Sequence, residues 1–573
     1  MTTSEHAEAS RPASLGTPPD VGAAARCRSL EPAVFRAVEV RKGAHRLVGN
    51  GLLLALLGVA SVGNAGAAQP AATASAAPAP REQKAAEPGN TTAAPTPPAA
   101  ASSDHRKLAL VVKRVTLANG LRVVLNEDHA SPTVAVAVTY DVGSRNEVRG
   151  RSGFAHLFEH MMFQGSRNVG KGEHFTFVTQ RGGTLNGTTS VDRTNYFEIV
   201  PSNGLSTILW LEADRMKSLA ITAENFENQR SVVQEEYRMR VSNAAYAEGS
   251  MRLRELVFKD YWPHEHDPIG SMQDLDAAQL DWIRAFHAAY YAPNNATLSL
   301  AGDFDSAQAL QLIQKYFGDA KAVTTPAFTP GALQEQTQER RLEVQDPNAK
   351  TPGILYGWVI PQSRAPEHYA LDLAATILGF GDSSVLESKM VRDEGLLRDI
   401  GVWTNDHRGP DLFELQALLT ERADKAKVEA RLNEEISRLA TQGPTAAELD
   451  KARQRLQSFL LFGLEGNLQR AMQLGSYELF YGDARLLNEE LEHFFAVTPE
   501  QVQAAVAKFL TPSRRSTVIV LPMPTAQTPS AAPAPVAAPA SPAAPPAATP
   551  PAAATPAVGK APPSAPPTLP TQH

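Results

Sequence analysis

Cysteine is almost absent from this 573-residue chain; the only one is Cys27. No disulfide, thiol nucleophile or Cys-based metal site can form in the domains that follow it. Basic blocks are missing too. The formal net charge is −7, and no Lys/Arg cluster in the central part offers a nucleic-acid surface. Long apolar runs are equally scarce. The main one, Gly51–Val62 (GLLLALLGVASV), is too short for a bilayer span and has the length of a signal-peptide core. Arg41, Lys42 and Arg46 precede it, and small residues at Ala67–Gln69 follow as a cleavage site. Residues 1–68 are therefore expected to be a targeting region, with the mature chain exported to a periplasm or secreted. About forty residues ahead of Arg41 are unusual for such a signal, which points to a start codon nearer Val38 or Val40. No Cys follows the apolar run, so a lipoprotein anchor is excluded.

What is there divides the chain by composition. Residues 69–106 and 523–573 are dominated by Ala and Pro; such segments cannot bury a core and are expected to be disordered spacers. The remaining 107–522 can hold two domains. Val115–Leu125 (VTLANGLRVVL) frames Asn119-Gly120, a hairpin signal. Strands are expected at Val134–Val142, Thr194–Val200 and Ala296–Ala301. Helices are expected over about 153–164 and at Glu173–Gln180, Leu205–Leu219, Ala223–Arg240 and Asp281–Tyr291. After a polar joint the same grammar returns. It has strands at Ile354–Ile360, Phe413–Leu419 and Ser516–Leu521, and helices at Glu367–Leu378, Val385–Arg392, Ala423–Leu439 and Ala446–Phe462. A last helix is opened by Thr498-Pro499-Glu500, with Thr as N-cap and Pro at the first position. The reading is α+β: two homologous domains from an internal duplication, 107–328 and 344–522, joined by 329–343.

The run HLFEH, His156–His160, is the clearest chemical signal. On a helix, His156 and His160 share a face. Both can reach one Zn²⁺, and Glu159 lies beside the second. The order is H-E-x-x-H reversed, the inverzincin form. Catalytic zinc needs a third protein ligand and an open position. Without cysteine, that ligand must be His, Asp or Glu. RSVVQEEYRMR offers both Glu235 and Glu236, and spacing alone does not choose between them. His174, His264 and His266 are expected to be surface or satisfied residues.

Three segments, HLFEHMMFQGS, LNGTTSVDRTNYF and QRSVVQEEYRMR, together with Pro268–Ser271, Tyr291–Asn295 and Gly302–Phe304, resemble the M16 zinc metallopeptidases. These are the pitrilysin, insulin-degrading enzyme and mitochondrial processing peptidase group, and the length is that of the short single-unit subfamily. The resemblance implies two α/β-sandwich domains of the LuxS/M16 metallopeptidase-like type and one Zn²⁺ per chain. It also implies Glu236 as the third ligand, since 75 residues lie between His160 and that position. It implies an endopeptidase acting on peptides or unfolded polypeptides. There Glu159 would take a proton from a metal-bound water and pass it to the leaving amine. Asn186 corresponds to an active-site Asn on a strand that receives substrate by main-chain pairing; its plainer reading is an Asn-Gly turn residue.

Two positions depart from the family pattern. Gln229 stands where some members carry a Glu, and can only hydrogen-bond near the ligands. In the second domain, the family pairs an Arg with a following Tyr around substrate and oxyanion. Arg392 fits the Arg, but Arg398 holds the Tyr position and Asp399 follows. A chamber built from two such units, of which this chain supplies one, implies a homodimer or a heterodimer with a zinc-less homologue. The alternative is a non-catalytic or weakly active, chaperone-like assembly subunit, a reading that intact His156, Glu159, His160 and Glu236 oppose.

Overall fold

Alternating and continuous apolar runs build two sheets. The computed structural model describes residues 107–523; the expected export region, the Ala/Pro linker and the tail from 524 onward lie outside the described residues. In the first half the strands are β1 (Lys113–Thr116), β2 (Arg122–Glu127), β3 (Thr133–Tyr140), β4 (Thr184–Thr189), β5 (Thr194–Pro201) and β6 (Ala296–Gly302). In the second they are β7 (Arg340–Asp346), β8 (Gly353–Ile360), β9 (Leu397–Thr404), β10 (Asp411–Leu419) and β11 (Ser516–Pro522). The sheet orders are β1-β2-β6-β3-β5-β4 and β7-β11-β8-β10-β9. Among the described residues only β2/β6 and β7/β11 pair parallel; the other named ladders are antiparallel. Without β1 the two orders match strand for strand, so the duplication is explicit in the topology. Asn119-Gly120 turns β1 into β2, with Thr116 opposite Arg122.

The helices that position the site are α1 (Phe154–Met161), α2 (Glu173–Thr179), α3 (Leu205–Ser218), α4 (Ala223–Tyr237), α5 (Ala247–Val257), α6 (Pro366–Gly379) and α7 (Asn467–Tyr481). Leu157, Phe158, Ile208 and Leu211 of α1 and α3 join Val136 and Val138 in the first core. Each sheet must bury its second face as well, and the halves do this by exchange. From the second half, α7 sets Leu468, Ala471 and Met472 on Ala135, Ala137 and Phe197 of the first sheet. From the first half, α5 sets Leu253 and Val257 on Leu355, Val518 and Val520 of the second. Close approach is made at glycines. A Cβ on Gly475 would stand 2.7 Å from Ser299 Oγ, and one on Gly249 would stand 2.4 Å from a Val520 methyl.

Asn186-Gly187 lies inside β4, on a strand as the family resemblance implied and not in the turn of its plainer reading. Two differences from the sequence reading stand out. β9 was not expected, because LRDIGVWT breaks alternation with Arg398, Asp399 and Gly401. The second sheet begins at Arg340, inside the stretch read as the joint 329–343, because a parallel partner strand, β11, pairs with polar RRLEVQD. In addition, the helix expected at Val385–Arg392 is a π-type turn over Glu387–Asp393.

Candidate active site

The site is assembled on α1. Gly153 caps this helix without a side chain, so its free N–H groups need another acceptor. Buried Glu147 provides it. Gly153 N donates to Oε2 at 2.9 Å and Ala155 N to Oε1 at 2.7 Å. His266 Nε2 lies 2.9 Å from Oε2. The next residue, His156, begins the HLFEH face.

His156 and His160 stand edge to face with ring centroids 4.9 Å apart. From α4, which packs against α1, Glu236 brings Oε2 to 3.2 Å from His160 Nε2 and 3.7 Å from His156 Nε2. One donor atom from each residue lies within 4.8 Å of the others. Burial, then the neighbouring His160, hold His156 down to about 4, so this imidazole is neutral at physiological pH. Burial alone would raise Glu236; the His160 hydrogen bond, the nearby His156 and the Arg240 charge outweigh it and bring it down to about 2. Arg240 also holds Oε1 at 2.9 Å. The set of neutral imidazole nitrogen and carboxylate oxygen is the kind that suits zinc.

Glu159 faces β4. Thr189 Oγ1 donates to its Oε2 at 2.6 Å. Gly187, two residues earlier on the same strand face, leaves room: a Cβ there would stand 3.0 Å from Glu159 Cγ. Burial raises this carboxyl above the usual range, opposed by the Thr189 bond and the His160 charge.

The other expected residues fall as follows. Glu235 turns outward to Arg238 at 2.9 Å. Gln229 is buried on α4, and its amide donates to Asn228 at 2.8 Å rather than to a site residue. Asn186 is exposed on β4, the last strand of the sheet; alternation puts it on the face opposite Gly187 and Thr189, away from Glu159. Arg392 is exposed and donates to Ser388 of its own turn. Arg398 is exposed on β9, the strand equivalent to β4. None of His174, His264 and His266 lies at the surface: the first two are buried and His266 bridges Trp262 O and Glu147.

A second His/Glu cluster lies deeper: His174, Glu198 and Glu212 are all buried and close enough to share an ion. Arg215 already fills the cation position. Its guanidinium bonds Glu212 and lies 3.4 Å from Glu198. Burial, then Arg215, push His174 down to about 3. This cluster is a buried ion pair with a neutral imidazole. Sequence reasoning missed Glu147 and Thr189 as supports of the site. The period of two counted from Gly187 could have found Thr189, but nothing in the spacing pointed to Glu147.

A duplicated sandwich, with an inverted His–Glu–His helix beside an edge strand, defines a metallopeptidase class of architecture. Residues 122–265 match the model described as Insulinase (Peptidase family M16), and residues 277–456 match Peptidase M16 inactive domain. An uncharacterized zinc protease of Mycobacterium tuberculosis is 30% identical over 425 residues, covering 72% of this chain and 93% of that one. Zinc protease PqqE of Helicobacter pylori is 28% identical over 411 residues, covering 71% and 92%. A crystal structure of a protease from Helicobacter pylori superposes with TM-score 0.69 at 28% identity, covering 72% of this chain and all of that one. The periplasmic protease PqqL of Escherichia coli superposes with TM-score 0.61 at 18% identity, covering 73% of this chain but 48% of that one. The chain belongs to the M16 peptidase family.

Proposed function

We propose that this protein is an exported zinc-dependent endopeptidase that hydrolyses peptides or unfolded polypeptides, with His156, His160 and Glu236 holding one zinc ion. The observation that carries the reading is the convergence of two imidazoles and an ionised carboxylate beside a second, buried carboxylate, Glu159. When bound, zinc would polarise the scissile carbonyl and the attacking water. Glu159 takes the proton of that water and returns it to the leaving amine; burial brings its affinity for protons closer to neutral, as a base that later serves as an acid requires. Thr189 occupies one carboxylate oxygen and fixes its direction. β4 has an unpaired edge that an extended peptide can join by main-chain hydrogen bonds, with Asn186 exposed on that strand as a substrate contact.

Export is supported by the signal-like segment and by the printed description of PqqL as periplasmic. Among the described residues no helix is long and apolar enough to cross a membrane. The present chain matches about half of PqqL, which supports a chamber completed by a second copy or by a zinc-less homologue. Arg392 would contribute to substrate binding from that assembly.

Metal analysis and a fluorogenic peptide assay test the reading. Glu159→Gln is expected to retain zinc and lose hydrolysis, whereas Glu236→Gln is expected to lose zinc. Full hydrolysis by Glu159→Gln would refute it.

A further inference from the structure

We propose that Arg408, supplied by the second half, is a positioning residue for Glu159 and acts through the turn between β4 and β5. The proposal rests on the peptidase reading above. Thr189 ends β4 and Thr194 begins β5, so the turn 190–193 decides where the Thr189 hydroxyl lies. That hydroxyl makes the one side-chain hydrogen bond to Glu159 among the described residues.

The turn is held by backbone bonds from Ser144 N to Ser190 O at 3.2 Å and from Arg145 N to Val191 O at 3.1 Å, and by charge. Asp192 is 2% exposed and carries a carboxylate that burial alone would disfavour. Arg145 Nη1 meets its Oδ1 at 2.8 Å, and the Arg408 backbone N donates to its Oδ2 at 3.1 Å. The Arg408 guanidinium adds Nε at 3.6 Å from Oδ1 and a 3.4 Å bond from Nη2 to the Asp192 carbonyl. The same Nη2 bonds Asp141, which follows β3, and Arg145 Nη2 closes the ring onto Asp141 at 2.8 Å. Two arginines and two aspartates thus balance each other where the end of β3, the loop leading to α1, the β4–β5 turn and the second half meet.

Arg408 is itself held from behind. Its guanidinium lies 4.7 Å over the Phe480 ring of α7. The preceding His407 sits 2.8 Å from Asp411, and Asp411 sits 2.8 Å from His368. Removing the guanidinium takes away one of the two arginines hydrogen-bonded to this pair of aspartates and leaves Arg145, with Arg122 near Asp141 and Arg193 near Asp192, to balance them. A buried charge stripped of a partner forces local rearrangement; Asp192 belongs to the short turn that leads back to Thr189, so its movement carries Thr189 away from Glu159. Misplacement of a reacting group by about 1 Å costs on the order of 10²-fold in rate. A purely structural role would lower the yield of folded protein, with kcat per zinc-loaded molecule unchanged.

Arg408→Met keeps the apolar stem over Phe480 and the backbone N–H to Asp192. Measured on zinc-loaded protein with a fluorogenic peptide, it is expected to lower kcat by about 10- to 100-fold with KM within about threefold. Thr189→Val is expected to do the same, and the double variant to be no slower than Thr189→Val alone, because both act on one bond. Wild-type kcat in Arg408→Met, or multiplicative losses in the double variant, would overturn the proposal. If Arg408→Met does not fold, Arg408→Lys combined with Thr189→Val decides the matter by the same criterion. If Glu159→Gln hydrolyses the peptide, the peptidase reading falls. If it is inactive and Arg408→Met matches wild type, only the present inference falls.

Discussion

Replacing Glu147 tests how the site helix is held. This carboxylate is fully enclosed and receives Gly153 N, Ala155 N and His266 Nε2 at 2.9, 2.7 and 2.9 Å. His266 Nδ1 lies 2.9 Å from the Trp262 carbonyl, which can only accept, so Nδ1 carries a proton. The contact at Nε2 then needs one more proton, on the ring or on the carboxyl. Glu147→Ala strands two backbone N–H groups and one imidazole nitrogen. Each unsatisfied group costs about 1–3 kcal/mol, non-additively, so about 3–5 kcal/mol is expected, as for breaking other buried charged contacts. Glu147→Gln can keep Ala155 N on its carbonyl oxygen and donate its amide to the unprotonated Nε2 of His266. It loses chiefly the Gly153 bond and should cost about 1 kcal/mol. Urea unfolding followed by near-ultraviolet circular dichroism measures both. The sign with pH follows from the raised folded-state value of Glu147, caused first by burial. Its contribution is full below the unfolded carboxyl pKa and is lost as pH rises through the higher folded one. Glu147→Gln should flatten that slope. Equal losses in the two variants, or under 1 kcal/mol for Glu147→Ala, would refute the capping argument.

Other outcomes follow from the same contacts. The Thr189 bond lowers a Glu159 carboxyl that burial raises, and a base must be ionised. The acid limb of the kcat–pH profile should therefore move to higher pH in Thr189→Val; no movement, or movement downward, would count against that bond. Residues 107–328 expressed alone should be insoluble or locally unfolded by hydrogen exchange, since α7 no longer covers Ala135, Ala137 and Phe197. Burial of a Leu, Met or Phe side chain is worth about 1.5–3 kcal/mol each, and co-expression of the second half should restore solubility and zinc binding together.

The legibility of the molecule tracks how local each signal is. HLFEH declares itself because two histidines one helical turn apart need no tertiary information to share a face. Glu236 lies on another helix, and only the family pattern distinguished it from Glu235, although the two point in opposite directions. The first hairpin, the buried central strands and the duplication were readable from turn signals and apolar periodicity; β7 and β9, which carry more polar residues, were not. The exchange of α5 and α7 was not, because a helix with an apolar stripe looks the same whichever sheet it covers. For Asn186 the local Asn-Gly signal favours a turn and the family pattern a strand; pairing with β5 from Thr184–Ile199 to Thr189–Thr194 decides for the strand. Arg408 and Asp192 are 216 residues apart, and no spacing rule connects them.

The duplication also bears on why the proposed metal site falls in one half. In the first half the first α-helix after β3 is α1, with His156 and His160 four residues apart. In the second half the corresponding helix, between β8 and β9, is α6, and it too carries a polar pair four residues apart, His368 and Asp372. The surroundings differ in sign. His156 faces a second imidazole and is pressed into its neutral, metal-binding form by burial and by that neighbour. His368 is just as buried, but Asp372 at 3.2 Å and Asp411 at 2.8 Å hold it well above the ordinary imidazole range. A ring protonated on both nitrogens has no lone pair for a metal. The same slot in the same fold thus offers the proposed zinc ligand in one half and holds a cation in the other. Through Asp411 and His407 that cation steadies the loop bearing Arg408, so the half without the proposed metal site still reaches toward Glu159, the proposed base, in the half that has it.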